Sequence, residues 1–126
     1  ESESYDENEL TSEKAKQICL EYMGESFTFL NPQKLIEPLW KFSSSLLDNK
    51  ENYSQLINIL MHLAGMFERA LRQDTLIAPQ EELKLTEQTE RFQQLEQALN
   101  ILSGTFQIEM PQDEIYYLEQ LLAYQE

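Results

Sequence analysis

The 126-residue chain has no valine, three glycines, one cysteine and one histidine, and its 9 Lys and Arg face 23 Asp and Glu, a formal net charge of −14. Each shortage excludes something. A lone Cys19 forms no internal disulfide, and one cysteine with one histidine does not assemble a Cys/His zinc site. No metal and no cofactor is therefore expected, and a reducing, cytoplasmic setting fits best. With so few basic groups to neutralise phosphates, direct contact with DNA or RNA is not expected. The apolar runs span a few residues, far below the roughly 20 of a membrane helix, and no basic-then-apolar signal opens the chain. Neither a membrane partner nor export is expected.

What the chain does have is twenty leucines, eight isoleucines and thirteen glutamines. Unbranched side chains lose little rotamer freedom in a helix, so this composition points to an all-α fold. A length of this order suits one domain of about 100–200 residues. Residues 1–10 are acidic with almost no apolar anchor and read as a flexible lead-in, leaving 11–126 as a single helical domain. The start without methionine suggests a module cut from a longer polypeptide.

Five helices are predicted, over about 12–23, 32–48, 51–73, 86–103 and 111–125, packed as a bundle. The first follows the hydroxyl pair Thr11/Ser12, with Ala15, Ile18, Cys19, Tyr22 and Met23 at helical spacing and an end at Gly24. Asn31-Pro32 opens the second, which Pro38 must kink or delay. The third presents Tyr53, Leu56, Leu60, Leu63, Phe67 and Leu71 as one apolar arc. Residues 74–85 hold Pro79 without a sustained period and read as a connection. The fourth turns Phe92, Leu95, Leu99 and Leu102 inward and ends at Gly104. Pro111, with Asp113 and Glu114 in the first turn, opens the fifth, whose inward residues are Ile115, Leu118 and Leu122.

His62 is the only imidazole. At 100° per residue, Gln55, Asn58, Gly65, Arg69 and Gln73 fall on its side of the third helix, whereas the apolar arc lies opposite. The bland readings are a satisfied core histidine or an ordinary surface one. Two neighbours favour function. Gly65 costs roughly 1 kcal/mol relative to Ala inside a helix and leaves the imidazole open on that side. Arg69 follows two turns on, a rise of about 10 Å, which a guanidinium and a phosphorylated imidazole would together span. A neutral imidazole is a competent nucleophile near neutral pH, and nearby Arg and amide donors would hold the charge it gains. Asp113 and Glu114, adjacent in a first turn, read as solvated charges favoured by the helix dipole rather than as an acid and base.

The stretch YSQLINILMHLAGMFERALRQ, with His62 and Arg69 seven apart, resembles the first half of a phosphotransferase-system regulation domain (PRD). The stretch FQIEMPQDEIYYLEQLLA resembles its second half, and the resemblance spans about residues 12–124. It implies a five-helix regulatory domain of a bacterial transcription regulator. By that resemblance His62 takes the phosphoacceptor position and Arg69 its accompanying arginine. Asn58, Asp113 and Glu114 would be supporting residues. The donors implied are the phosphocarrier protein or an enzyme II B component of the sugar phosphotransferase system, and the partners a second copy in a homodimer and other domains of the same regulator. Leu121 stands where many such domains carry a second histidine. One phosphorylation site, with the stretch FLNPQKLIEPLW, is most like the last PRD of levanase-operon-regulator type, sigma-54-dependent activators. No enzyme activity is expected. The alternative is a helical interaction or dimerisation module that is never phosphorylated and in which His62 is incidental.

Overall fold

A computed structural model describes residues 10–124, and all regular structure among them is helical: α1 (Ser12–Ser26), α2 (Pro32–Ser45), α3 (Tyr53–Arg72), α4 (Gln80–Thr86), α5 (Glu90–Thr105) and α6 (Gln112–Tyr124). The acidic lead-in, apart from Leu10, and residue 125 of the last predicted helix lie outside the described residues. Six helices replace the five expected, and the chain divides into two compact units within α3, between Ala64 and Gly65.

In the first unit Thr11 Oγ1 accepts from the N–H of Lys14 at 3.2 Å and starts α1. Ala15, Cys19 and Met23, spaced four apart, are buried, whereas Ile18 and Tyr22 of the expected stripe are exposed. The helix passes through Gly24 and stops at Phe27, whose N–H closes on the Met23 carbonyl at 3.1 Å. Asn31 Oδ1 accepts from Gln33 N–H at 3.1 Å and starts α2 at Pro32, so Pro38 does not delay it. The helix ends at Ser45 rather than 48, and Lys50 Nζ donates to the Ser44 carbonyl at 2.8 Å, satisfying one of the last-turn acceptors. Lys16 bonds both oxygens of Glu37 at 3.2 Å and lies 5.2 Å from the Trp40 ring centre, and Trp40 stacks on Tyr53 at 6.0 Å, tying α1, α2 and the start of α3.

α3 begins two residues later than expected because Asn52 caps it, its Oδ1 accepting from Gln55 N–H at 3.2 Å. Its burial is wider than one arc. Leu56, Leu60, Leu63 and Phe67 are buried as expected, but so are Ile59, Ala64 and Met66, while Leu71 is exposed. Ile59 and Met66 stand at about 60° and 40° from His62, so the side of α3 that carries His62 is not a solvent face.

In the second unit, residues 74–85 are not all connection, since α4 forms over Gln80–Thr86. Seven residues with one buried side chain, Leu83, do not repeat a helical period, which hid α4 in the sequence. Thr86 closes α4, and the start of α5 passes to Thr89, whose Oγ1 accepts from Phe92 N–H at 3.2 Å. Phe92, Leu95 and Leu99 are buried and Leu102 half-buried; on α6, Ile115 and Leu118 are buried and Leu122 half-buried. Phe67 meets Phe106 edge to face at 6.2 Å. Each fully buried Phe or Leu here contributes about 1.5–3 kcal/mol.

Candidate functional site

His62 is half-buried on α3, and its Nε2 is closed off from solvent. The surface position expected from the apolar arc is therefore corrected, for the reason given by Ile59 and Met66. Asn58, one turn earlier, is exposed. Both belong to the first unit.

The second unit holds the other three residues named from the sequence: Arg69 and Glu114 bond each other, and Glu114 and Asp113 each bond the connector that follows α3. Arg69 donates through Nε to Glu114 Oε2 and through Nη2 to Glu114 Oε1, both at 2.8 Å. This is the bidentate fork that a planar guanidinium makes with a carboxylate. Glu114 is fully buried and Arg69 is 23 % exposed at its side chain. The hydrogen bond to Glu114 raises the Arg69 pKa further above its usual value, with burial opposing, so the guanidinium stays charged.

Gly65 explains how the fork is reached. A Cβ built there would lie 3.3 Å from Arg69 Nη1, so the guanidinium lies across the bare backbone of the preceding turn. The space over Gly65 that sequence reasoning left open is filled by Arg69.

Glu114 and Asp113 also hold the connector between α3 and α4. Glu114 Oε2 accepts from Leu76 N–H at 2.8 Å, and Asp113 Oδ2 accepts from Ala78 N–H at 2.8 Å and from Gln80 Nε2 at 3.1 Å. Tyr117 O–H donates to the Ile77 carbonyl at 3.0 Å. The connector is thus pinned on alternate groups, leaving Ile77 78 % exposed. The first turn of a helix favours carboxylates, and the N–H groups of Glu114 and Ile115 bond back to the Pro111 carbonyl at 3.1 and 3.3 Å. Asp113 and Glu114 are consequently not solvated surface charges, and that expectation is corrected: their partners are Arg69, Gln80 and backbone amides of a connector far away in sequence. Beside them, Tyr116 O–H donates to Glu82 Oε1 at 2.8 Å, and this bond pushes the phenol up to about 12.

Sequence reasoning missed Leu76, Ala78, Gln80 and Tyr117. Backbone N–H groups carry no residue signature; the one hint was Pro79, which biases the residue before it to extended backbone. Among the described residues no group of three or more His, Cys, Asp or Glu is placed to hold a metal ion, and no helix is long and apolar enough to cross a membrane.

Compared with known families, residues 39–125 match the model of the PRD domain. No curated protein and no solved structure matches the chain.

Proposed function

This chain belongs to the PRD domain family, and from that premise we propose that it is a regulatory module whose His62 accepts a phosphoryl group from the sugar phosphotransferase system. The observation that carries the reading is that the matched segment encloses the single imidazole of the chain, on α3. In the transfer a ring nitrogen of neutral His62 attacks phosphorus and forms an N–P bond. The bond to the donor breaks, its electron pair returns to the donor, and the ring proton stays on the other nitrogen. A donor reaches Nε2 only when the packing around that nitrogen opens.

The proposed donor is the phosphocarrier protein or an enzyme II B component. Phosphorylation adds about −2 charges to a chain already at −14, and repulsion between copies changes the packing of a homodimer. Through the other domains of a cytoplasmic, levanase-operon-regulator type activator, that change reports sugar supply to transcription. Asn58 and Arg69 are the proposed supporting residues on α3. Asp113 and Glu114 act as positioning residues, through Arg69 and the connector.

The donor is tested by ³¹P NMR after incubating the chain with phosphoenolpyruvate and either the phosphocarrier relay alone or the relay plus the B component. A phosphoramidate resonance that His62→Ala lacks supports the reading, and the mixture that yields it identifies the donor. Identical spectra for wild type and His62→Ala contradict it.

A further inference from the structure

Two helix ends of the second unit share an unusual construction. At the end of α3, Asp74 N–H bonds the Arg69 carbonyl at 2.9 Å and Gln73 N–H bonds the Ala70 carbonyl at 3.2 Å. At the end of α5, Ile108 N–H bonds the Ser103 carbonyl at 2.9 Å and Gln107 N–H bonds the Gly104 carbonyl at 3.0 Å. Each is a Schellman cap, in which the residue after the helix turns left-handed and is most often glycine, sometimes asparagine. Here it is glutamine in both, Gln73 and Gln107, each with φ of 59°. A side chain stands at two positions where the backbone favours having none.

Both glutamines line the same cleft of about 900 Å³. Asn100 adds a third amide and Glu109 a carboxylate, while Leu71 and Ile108 supply apolar surface; no lysine, arginine or histidine lines it. Two helix C-termini bring their negative dipole ends to the cleft, and Glu109 adds a full negative charge. Amide oxygens accept from a donor-rich cation, and the apolar side chains suit a short methylene chain. The volume lies in the range of small-molecule sites.

We propose that this cleft is a binding site for an alkylammonium group, a protonated amine on a short methylene chain, supplied by a free di- or polyamine or by a lysine side chain of a partner. The site is independent of His62 and goes beyond the phosphoacceptor reading. The ammonium sits against Glu109 and the helix ends, the amides of Asn100, Gln73 and Gln107 complete its hydrogen bonds, and the methylenes lie on Leu71 and Ile108.

The test follows the side-chain amide resonances of Asn100, Gln73 and Gln107 in ¹H–¹⁵N spectra of the whole chain during titration. The probes are putrescine, spermidine, a short blocked peptide with one lysine, 1,4-butanediol and magnesium chloride. Saturable shifts of these amides with the amines, and not with butanediol, are expected. Glu109→Gln weakens binding by about three- to fivefold, Asn100→Ala weakens it comparably, and Glu81→Gln, which removes an exposed charge on α4, leaves it unchanged. Gln107→Gly raises Tm while weakening binding, opposite signs that a purely structural glutamine would not give. Tighter binding of spermidine than of the peptide assigns the amine to a free polyamine, and the reverse assigns it to a protein; either outcome supports the site. Equal weakening by Glu81→Gln and Glu109→Gln, equal competition by magnesium, or equal shifts with butanediol overturns it.

Discussion

Both oxygens of Glu114, a fully buried carboxylate, are taken by the Arg69 guanidinium at 2.8 Å, and one of them also accepts the Leu76 N–H. One carboxylate on α6 therefore fixes both the cation of α3 and the path of the chain leaving it.

Removing either partner is expected to be expensive. Arg69→Ala leaves a buried charge with no cation beside it, and breaking such pairs costs about 3–5 kcal/mol. Because Arg69 is 23 % exposed, the low end of that range is expected. Replacing both residues by Met is expected to cost less than Arg69→Ala alone, since no charge is left stranded. Urea unfolding of the three proteins checks the order; a double variant less stable than Arg69→Ala contradicts it.

The connector is expected to be protected from hydrogen exchange although it lies outside any helix. Leu76 and Ala78 amides, held by Glu114 and Asp113 at 2.8 Å, should exchange far more slowly than that of Ile77. Asp113→Ala should release Ala78 selectively, at a stability loss of about 1–2 kcal/mol. Equal exchange of the three amides in the wild type removes the basis for the clamp.

Gly65→Ala combines two opposing effects. Alanine gains about 1 kcal/mol over glycine inside a helix, but its Cβ would meet Arg69 Nη1 at 3.3 Å. Because Glu114 holds that guanidinium, the gain should nearly vanish in the wild type and reappear in the Arg69→Ala background. A double-mutant cycle of unfolding free energies measures it, and the same gain in both backgrounds would show that Arg69 does not occupy the space over Gly65.

Burial of Cys19 pushes its thiol from 9.0 up to about 11. Below pH 9 the thiol is protonated in folded and unfolded chains alike and adds no pH dependence. Between pH 9 and 11 the unfolded chain releases the proton and the folded chain keeps it, so stability falls as pH rises. The wild type should therefore lose more Tm than Cys19→Ala across that window. Tyr116, pushed up to about 12 by its bond to Glu82, is common to both proteins and cancels in the comparison. Parallel Tm curves would contradict the assignment.

Where a helix was legible in the sequence, a repeated period or a cap made it so. Thr11 and Asn31 cap α1 and α2 as their positions suggested, and Pro111 precedes α6. α4 was hidden because Leu83 is its one buried residue. The half-buried position of His62 was not legible because one apolar arc does not describe the whole buried surface of α3: Ile59 and Met66 are buried on the other side. Asp113 and Glu114 were picked out by their place after Pro111, but their burial was not legible: their partners are backbone amides and an arginine 45 residues away, contacts that no local pattern encodes.

The central claim is that His62 is the phosphoacceptor, and intact mass tests it most directly. The chain and its His62→Ala variant are each incubated with phosphoenolpyruvate and the phosphotransferase relay, then weighed before and after mild acid. The wild type is expected to gain one phosphoryl group that acid removes, and His62→Ala to gain none. Equal gain in both proteins, or no gain in the wild type with an active relay and B component, would contradict the account.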